Sequence, residues 1–414
     1  MFKRLQSIFL LSVILPLLYF PSAEANQLWV GTAHTDITPP IGTPSAGYQA
    51  RQGKGMTGVH DPLLATAIVI KNENKTIAFC GIDNLGMTSE LIQQIIKKVH
   101  KVPSLTHCEI FIGSSHTHSG GGAFLDIPLV GTQLAGAYDS EITGHYINKI
   151  AQAIIEAGTN LQPAKIGIGY GQVELSQYRS GYPKNAKPIW DATVIKVVDL
   201  EEKPLAVIFN YAMHPTILTK DNYLFSADFV GFARNELQHR LDNSIEAIYL
   251  NSAQADISPL LPQEYNEWEQ CEKIGKKLAC TVADIWENTE TTQDITIRTI
   301  KEIYSFNPKP TPFGLQLPIS RYDSEVNAIF LNDHAFITIP GELSCVYHRQ
   351  LIDLSLSLGY KYLSILGLVN DAHGYIILPE SWKYPTFESR LSFGGELYGD
   401  FIRDTAAKLL ITNN

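Results

Sequence analysis

Apolar residues in this chain fall mostly in short, β-branched runs bounded by glycine, proline, asparagine or aspartate, a pattern of strands rather than of long helices. Leu28 to Ile37 predicts an opening strand, closed by Asp36-Ile37-Thr38-Pro39-Pro40. Leu63 to Ile70 and Thr76 to Ile82 predict two more, separated by the polar turn Asn72-Glu73-Asn74-Lys75. Thr88 to Val99 changes to helical spacing, and Ile110 to Ile112 returns to a buried strand. Further helices are predicted over Ser140 to Ala157, Phe229 to Leu241, Glu264 to Glu287, Cys345 to Leu358 and Gly395 to Leu410. Between them lie a strand from Lys165 to Tyr170, a hairpin of Ala192 to Asp199 with Leu205 to Tyr211, and a strand from Glu246 to Leu250. Ala328 to Ile339 reads as a strand or hairpin, and Tyr362 to Val369 as a strand. The proline-rich stretch Thr291 to Ser324 predicts a surface excursion. Strand, acidic loop, helix and strand in succession predict an α/β protein with a mixed β-sheet core flanked by helices and ligands gathered at strand ends. No internal repeat and no low-complexity linker divides the chain, so a single large domain is expected over residues 26–414.

The first residues depart from this pattern. Lys3 and Arg4 precede an almost wholly apolar run from Ile8 to Phe20, and Ala23-Glu24-Ala25 gives a small-x-small cleavage site. Residues 1–25 therefore read as a signal peptide, and a secreted or periplasmic location is expected. The apolar run falls short of the roughly 20 residues that span a bilayer. A net charge of -10, with no basic block, argues against nucleic acid as a partner. The five cysteines, Cys80, Cys108, Cys271, Cys280 and Cys345, are odd in number and irregular in spacing, which is no disulfide framework. Cys271 and Cys280 would stand about 13 Å apart along one helix, too far to bridge.

Candidate chemistry gathers where apolar runs end. Phe111-Ile112-Gly113-Ser114-Ser115-His116-Thr117-His118-Ser119 leads into three consecutive glycines. Histidines two apart in extended chain point to one face, so His116 and His118 are predicted to address one point in space. Neutral imidazole is the commonest protein ligand for zinc and its neighbours. Four later stretches share the habit: Phe209 to Pro215, Tyr249 to Pro259, Thr338-Ile339-Pro340-Gly341-Glu342, and Gly367 to Tyr375.

Taken in order, these five stretches resemble the catalytic domain of the neutral, non-lysosomal ceramidases, from about Gly31 to Gly399. The resemblance implies zinc (Zn2+) ligands at His116, His214, Glu342 and Tyr375. It places His118 and Arg179 where the family contacts the scissile amide, and Ser258 at the serine of an Asp-Ile-Ser-Pro segment. It implies a zinc-dependent amidohydrolase that cleaves the N-acyl amide of ceramide or a related N-acyl lipid to a fatty acid and a sphingoid base. The implied partner is a lipid or small acyl-amide substrate, with scope for peripheral membrane contact. Two imidazoles and a carboxylate make a zinc site with room for water or substrate, and zinc lowers the pKa of bound water to about 7. Ser258 is either a nucleophile or a group that positions substrate. Each position also has an ordinary reading: His118 bonding a carboxylate, Arg179 in a surface ion pair, Tyr375 in the core, Ser258 capping a turn. Asp83 and Asp228 lie near the strand ends and suit the orienting of histidines, while His60 reads as structural. The long ceramidases carry a further C-terminal immunoglobulin-like domain, which is not expected here because the chain ends about fifteen residues after Tyr398-Gly399. Ala255-Asp256 replaces the more usual Gly-Asp, and Glu388 to Gly394 matches the family's closing motif only loosely. Two alternatives stand beside this reading: the same metal site acting on another small acylated amide or ester, and a non-catalytic lipid- or glycan-binding relative.

Overall fold

The computed structural model describes residues 27–127 and 130–413, so the signal-peptide segment lies outside the described residues. Three sheets carry the fold. The first orders its strands Glu109–Ser114, Thr76–Ile82, Leu64–Lys71, Trp29–Asp36 and the short Gln162–Pro163. The second orders Glu246–Asn251, Pro204–Tyr211, Asp191–Val198 and Lys165–Gln172, and the third Ile297–Phe306, Tyr322–Leu331, His334–Ile339 and Tyr362–Gly367.

One topology recurs in all three. Three strands run as an antiparallel meander, a helix crosses over, and a fourth strand adds parallel to the third. The crossover helices are Ser89–Val99, Phe229–Leu241 and Cys345–Ser357. A second helix follows each fourth strand: Ser140–Thr159, Glu267–Glu287 and Tyr398–Thr412. The repetition is one of topology alone. No residue pattern repeats with it, which is why the sequence shows no period.

Alternation along the strands explains how three sheets fit together. In Thr76–Ile82, Ile77 and Phe79 face a central core while Ala78, Cys80 and Ile82 face the helices. In Pro204–Tyr211, Ile208 faces the same central core and Val207, Phe209 and Tyr211 face the second helix pair. In the third sheet Ile329 and Leu331 point to the centre, and Ala328 and Phe330 to the third helix pair. The inner strands of each sheet are thus dry on both faces, so they read as near-continuous apolar runs. Truncating one central residue, such as Ile248 to alanine, is expected to cost about 2–5 kcal/mol.

The parallel fourth strands meet at the middle of the molecule. The Asn370 side chain bonds Ile112 N at 2.9 Å and Ile110 O at 2.9 Å, and the Asn210 amide reaches Leu250 O at 2.7 Å and Ile365 O at 3.0 Å. A Cβ on Gly367 would lie 2.5 Å from Ser252 O, so glycine there sets how closely the second and third sheets approach.

Three expectations change. The stretch Thr291 to Ser324 is not wholly an excursion, because Ile297–Phe306 is a ten-residue strand paired along its length with Tyr322–Leu331. It is the outer edge of its sheet, and its half-exposed, mixed pattern hides the strand from a search for apolar runs. The fourth long helix starts at Glu267 rather than Glu264, because Asn266 and Glu269 form a capping box. His116 and His118 are not in extended chain: the strand ends at Ser114 and His116 has φ 71°, so the alternation argument does not apply to them.

Candidate metal centre

The C-terminal ends of third and fourth strands deliver the side chains. His116 follows the fourth strand of the first unit, His214 the third strand of the second, and Glu342 the third strand of the third. All three are buried. His116 Nδ1–H donates to Leu85 O at 2.6 Å, and His214 Nδ1–H donates to Ile257 O at 2.9 Å. Those bonds fix the tautomers and leave both Nε2 atoms as acceptors. Both Nε2 atoms face Glu342 Oε2, at 3.4 Å from His116 and 2.9 Å from His214.

Burial holds the His116 imidazole down at about 4, against the opposing pull of Glu342, and holds His214 well below its ordinary value. Both rings are therefore neutral at pH 7. Glu342 Oε2 is buried with no hydrogen-bond donor. The three ligand atoms lie within 4.8 Å of one another, so this buried group could hold a metal ion. Two imidazoles and a carboxylate suit zinc, and His116, His214 and Glu342 fit that role.

Tyr375 joins this group through the backbone. Glu342–Leu343 and Tyr375–Ile376 pair in parallel with Glu342 opposite Tyr375, which brings the phenol beside the carboxylate. Burial, and then Glu342, push its pKa up. Its hydroxyl accepts from Arg179 Nη2 at 3.2 Å. The same Nη2 donates to Ala255 O at 2.9 Å and stands 3.3 Å from His214 Nε2, while Arg179 Nε donates to Glu388 at 3.0 Å. Arg179 is part of the centre and not a surface ion pair.

Arg179 and Ser258 are placed by one short ladder. Ser176–Tyr178 pairs antiparallel with Ile257–Pro259, with Ser258 opposite Gln177. Arg179 leaves its end with its N–H on Asp256 O at 2.9 Å, and the Ile257 carbonyl is the one that orients His214. Ser258 itself is half-buried, one residue from that carbonyl. Asp256 locks the loop to the third unit, accepting from Ser344 Oγ at 2.5 Å and Cys345 N at 2.9 Å.

His118 lies outside the cluster of three but against it, its ring 5.0 Å from that of His116 and 4.7 Å from that of Tyr48. Both its ring nitrogens are buried without partners, and burial keeps it neutral. Gly47, at φ +106°, passes so close that a Cβ would lie 2.5 Å from His118 Nδ1. Asp83 and Asp228 act at one remove. Asp83 accepts from Leu64 N at 2.9 Å and pairs with Arg234 at 2.6 Å, pinning the loop whose Leu85 carbonyl holds His116. Asp228 caps Phe229–Leu241 and bonds Leu218 N. His60 stacks on Trp268 and bonds Asp61, away from the cluster.

A cavity opens from His116, His118, Glu342 and Tyr375 between walls that include Phe124, Leu125, Ile127, Leu317, Leu391 and Phe393. Glu342 is the only acidic residue lining it, and neither lysine nor arginine does, among the described residues. The cysteines are free thiols, as their spacing implied.

Residues 28–303 match the family model described as neutral/alkaline non-lysosomal ceramidase, N-terminal. Over 228 residues the chain is 31% identical to neutral ceramidase A of Dictyostelium discoideum, covering 51% of this chain and 32% of that protein. Over 294 residues it is 24% identical to neutral ceramidase of Pseudomonas aeruginosa, covering 64% of this chain and 43% of that protein. The chain thus spans under half the length of these relatives. The crystal structure of the Pseudomonas aeruginosa neutral ceramidase superposes with a TM-score of 0.81 at 17% identity, over 94% of this chain and 75% of that one. A structure of a ceramidase complexed with C2 superposes at 0.82, with 15% identity and the same coverage.

Proposed function

Because the chain belongs to the neutral/alkaline non-lysosomal ceramidase family, we propose that it is a zinc-dependent amidohydrolase for the N-acyl amide of ceramide or a related N-acyl lipid. The observation that carries this reading is the buried trio of candidate ligands opening onto a largely apolar cavity. A long acyl chain gains by leaving water for such walls, about 0.8 kcal/mol per methylene.

His116, His214 and Glu342 would hold the metal, with the Tyr375 phenol beside it. When bound, zinc supplies Lewis acidity and water acidified to near neutral pH. Arg179 and Tyr375 donate hydrogen bonds to the carbonyl oxygen as it gains charge. His118, neutral and unpartnered, accepts the proton released by the attacking water and passes it to the departing amine. Ser258 is assigned to positioning the substrate. The segment Ala23-Glu24-Ala25 supports export, with residues 26–414 as one hydrolase domain. Among the described residues no helix is long and apolar enough to cross a membrane.

The test is hydrolysis of a fluorescent N-acyl-sphingosine against short-chain acyl amides, before and after chelation, with metal content measured by mass spectrometry. Stoichiometric zinc and a preference for the long-chain substrate are expected. Full activity in metal-free protein would falsify the reading.

A further inference from the structure

Glu388 opens the short helix Glu388–Leu391, and its carboxylate is buried under the metal cluster. Oε1 accepts from Arg179 Nε at 3.0 Å, and Oε2 has no hydrogen-bond partner. The turn that carries it is fixed, with Ser389 Oγ on Tyr384 O at 2.8 Å and Ser389 N on Thr386 Oγ1 at 3.1 Å. The neighbouring Phe387 ring covers the Arg179 guanidinium at 5.7 Å. Arg179 is thus gripped at Nε by Glu388 and at Nη2 by Ala255 O, and held with that Nη2 3.3 Å from His214 Nε2.

That placement creates an electrostatic conflict. A guanidinium beside a metal ligand repels the dication that the ligand is built to hold. Glu342 cannot cancel it, since its charge is committed to the metal. Glu388 is the other carboxylate of the centre, and it touches Arg179 while making no contact that would place it among the ligands.

We infer that Glu388 is a positioning residue: it aims Arg179 at the reacting carbonyl and cancels the guanidinium charge, so that a cationic donor and a metal ion share one pocket. The inference rests on the amidase reading only for its kinetic consequence. Its electrostatic consequence is independent of any substrate.

The experiment is a double-mutant cycle on the metal-free protein, read by titration with Co2+ and its visible absorption. Glu388→Ala should weaken cobalt binding about tenfold by leaving Arg179 uncompensated, and Glu388→Gln should do the same. Arg179→Ala combined with Glu388→Ala removes one charge of each sign, and should restore affinity to within about threefold of the wild type. Affinity unchanged in Glu388→Ala, or a double variant no tighter than Glu388→Ala, overturns the inference. If the alanine variant does not fold, Glu388→Gln with and without Arg179→Ala completes the same cycle. In the kinetic arm, Glu388→Ala should lower kcat about ten- to a hundredfold with little change in KM, and Glu388→Gln should recover part of it by keeping an oxygen for Nε–H. A wild type that takes cobalt but cleaves no N-acyl lipid defeats the functional reading and leaves the cobalt cycle to decide this one.

Discussion

His116 and His118 stand two residues apart with rings meeting edge to face at 5.0 Å, yet their surroundings are opposite. His116, like His214 across the centre, gives its Nδ1–H to a backbone carbonyl and turns a defined lone pair on Glu342. His118 has no partner at either nitrogen and lies against Tyr48 at the cavity wall. A ligand must be aimed before the metal arrives, and a carbonyl on a packed loop does the aiming. A residue that must take a proton and give it back is useful only if nothing in the protein already claims it. Two identical side chains are thus separated in role by what their second nitrogen finds.

The largest effects should come from breaking the aimed side. His214→Ala or Glu342→Ala should abolish stoichiometric zinc and take hydrolysis to background, measured by metal analysis and product release. Breaking the unclaimed side should separate metal from rate. His118→Ala should keep its zinc and lose about 10²–10⁴ in kcat, and loss of metal in that variant would merge the two classes of histidine. Tyr375→Phe sits between them, retaining metal but losing about ten- to a hundredfold in rate through the missing phenol. Equal metal loss with unchanged turnover would remove the phenol from the reaction.

Ser258→Ala should cost roughly 1–3 kcal/mol, about ten- to a hundredfold, as the loss of one positioning hydrogen bond. A fall to background, with an acyl-enzyme burst in the wild type, would make Ser258 the nucleophile instead. The smallest effect is on stability. Burial holds His118 well below the ordinary 6.5, so on acidification below 6.5 the unfolded chain takes up a proton that the folded chain refuses. Stability linked to this residue is present above about pH 6.5 and lost as the pH falls towards the folded value. The metal-free wild type should therefore lose more melting temperature between pH 7 and 4.5 than His118→Gln. Calorimetry that shows identical losses would place His118 in water rather than in the core.

The candidate ligands were picked out by the resemblance to the neutral ceramidases, and periodicity showed only that they stand where apolar runs end. His116, His214 and Glu342 each follow a buried strand, and Phe229–Leu241 was predicted at its observed bounds. The alternation of Ile77 and Phe79 with Ala78 and Cys80 was invisible as such, since both faces are apolar and only the packed sheets tell them apart. The strand Ile297–Phe306 was missed because an edge exposes half of its residues. Glu388 escaped notice as an individual residue for a different reason. Its partner Arg179 is 209 positions away, and an acid in a mixed polar and aromatic stretch carries no local sign of burial.

The three topological units also bear on how the chain becomes active. Each contributes a donor that is useless without the other two, so a folding intermediate with one sheet undocked offers a metal at most part of its coordination sphere. Contacts between such distant segments form late, after the local meanders have closed. If the centre holds a metal as proposed, its capture would come at the end of folding and draw the assembled chain onward, by about 2.7 kcal/mol when free metal stands a hundredfold above its dissociation constant. In a compartment short of that metal, the same chain would finish folding without that final pull, and its turnover by proteases would report the metal supply.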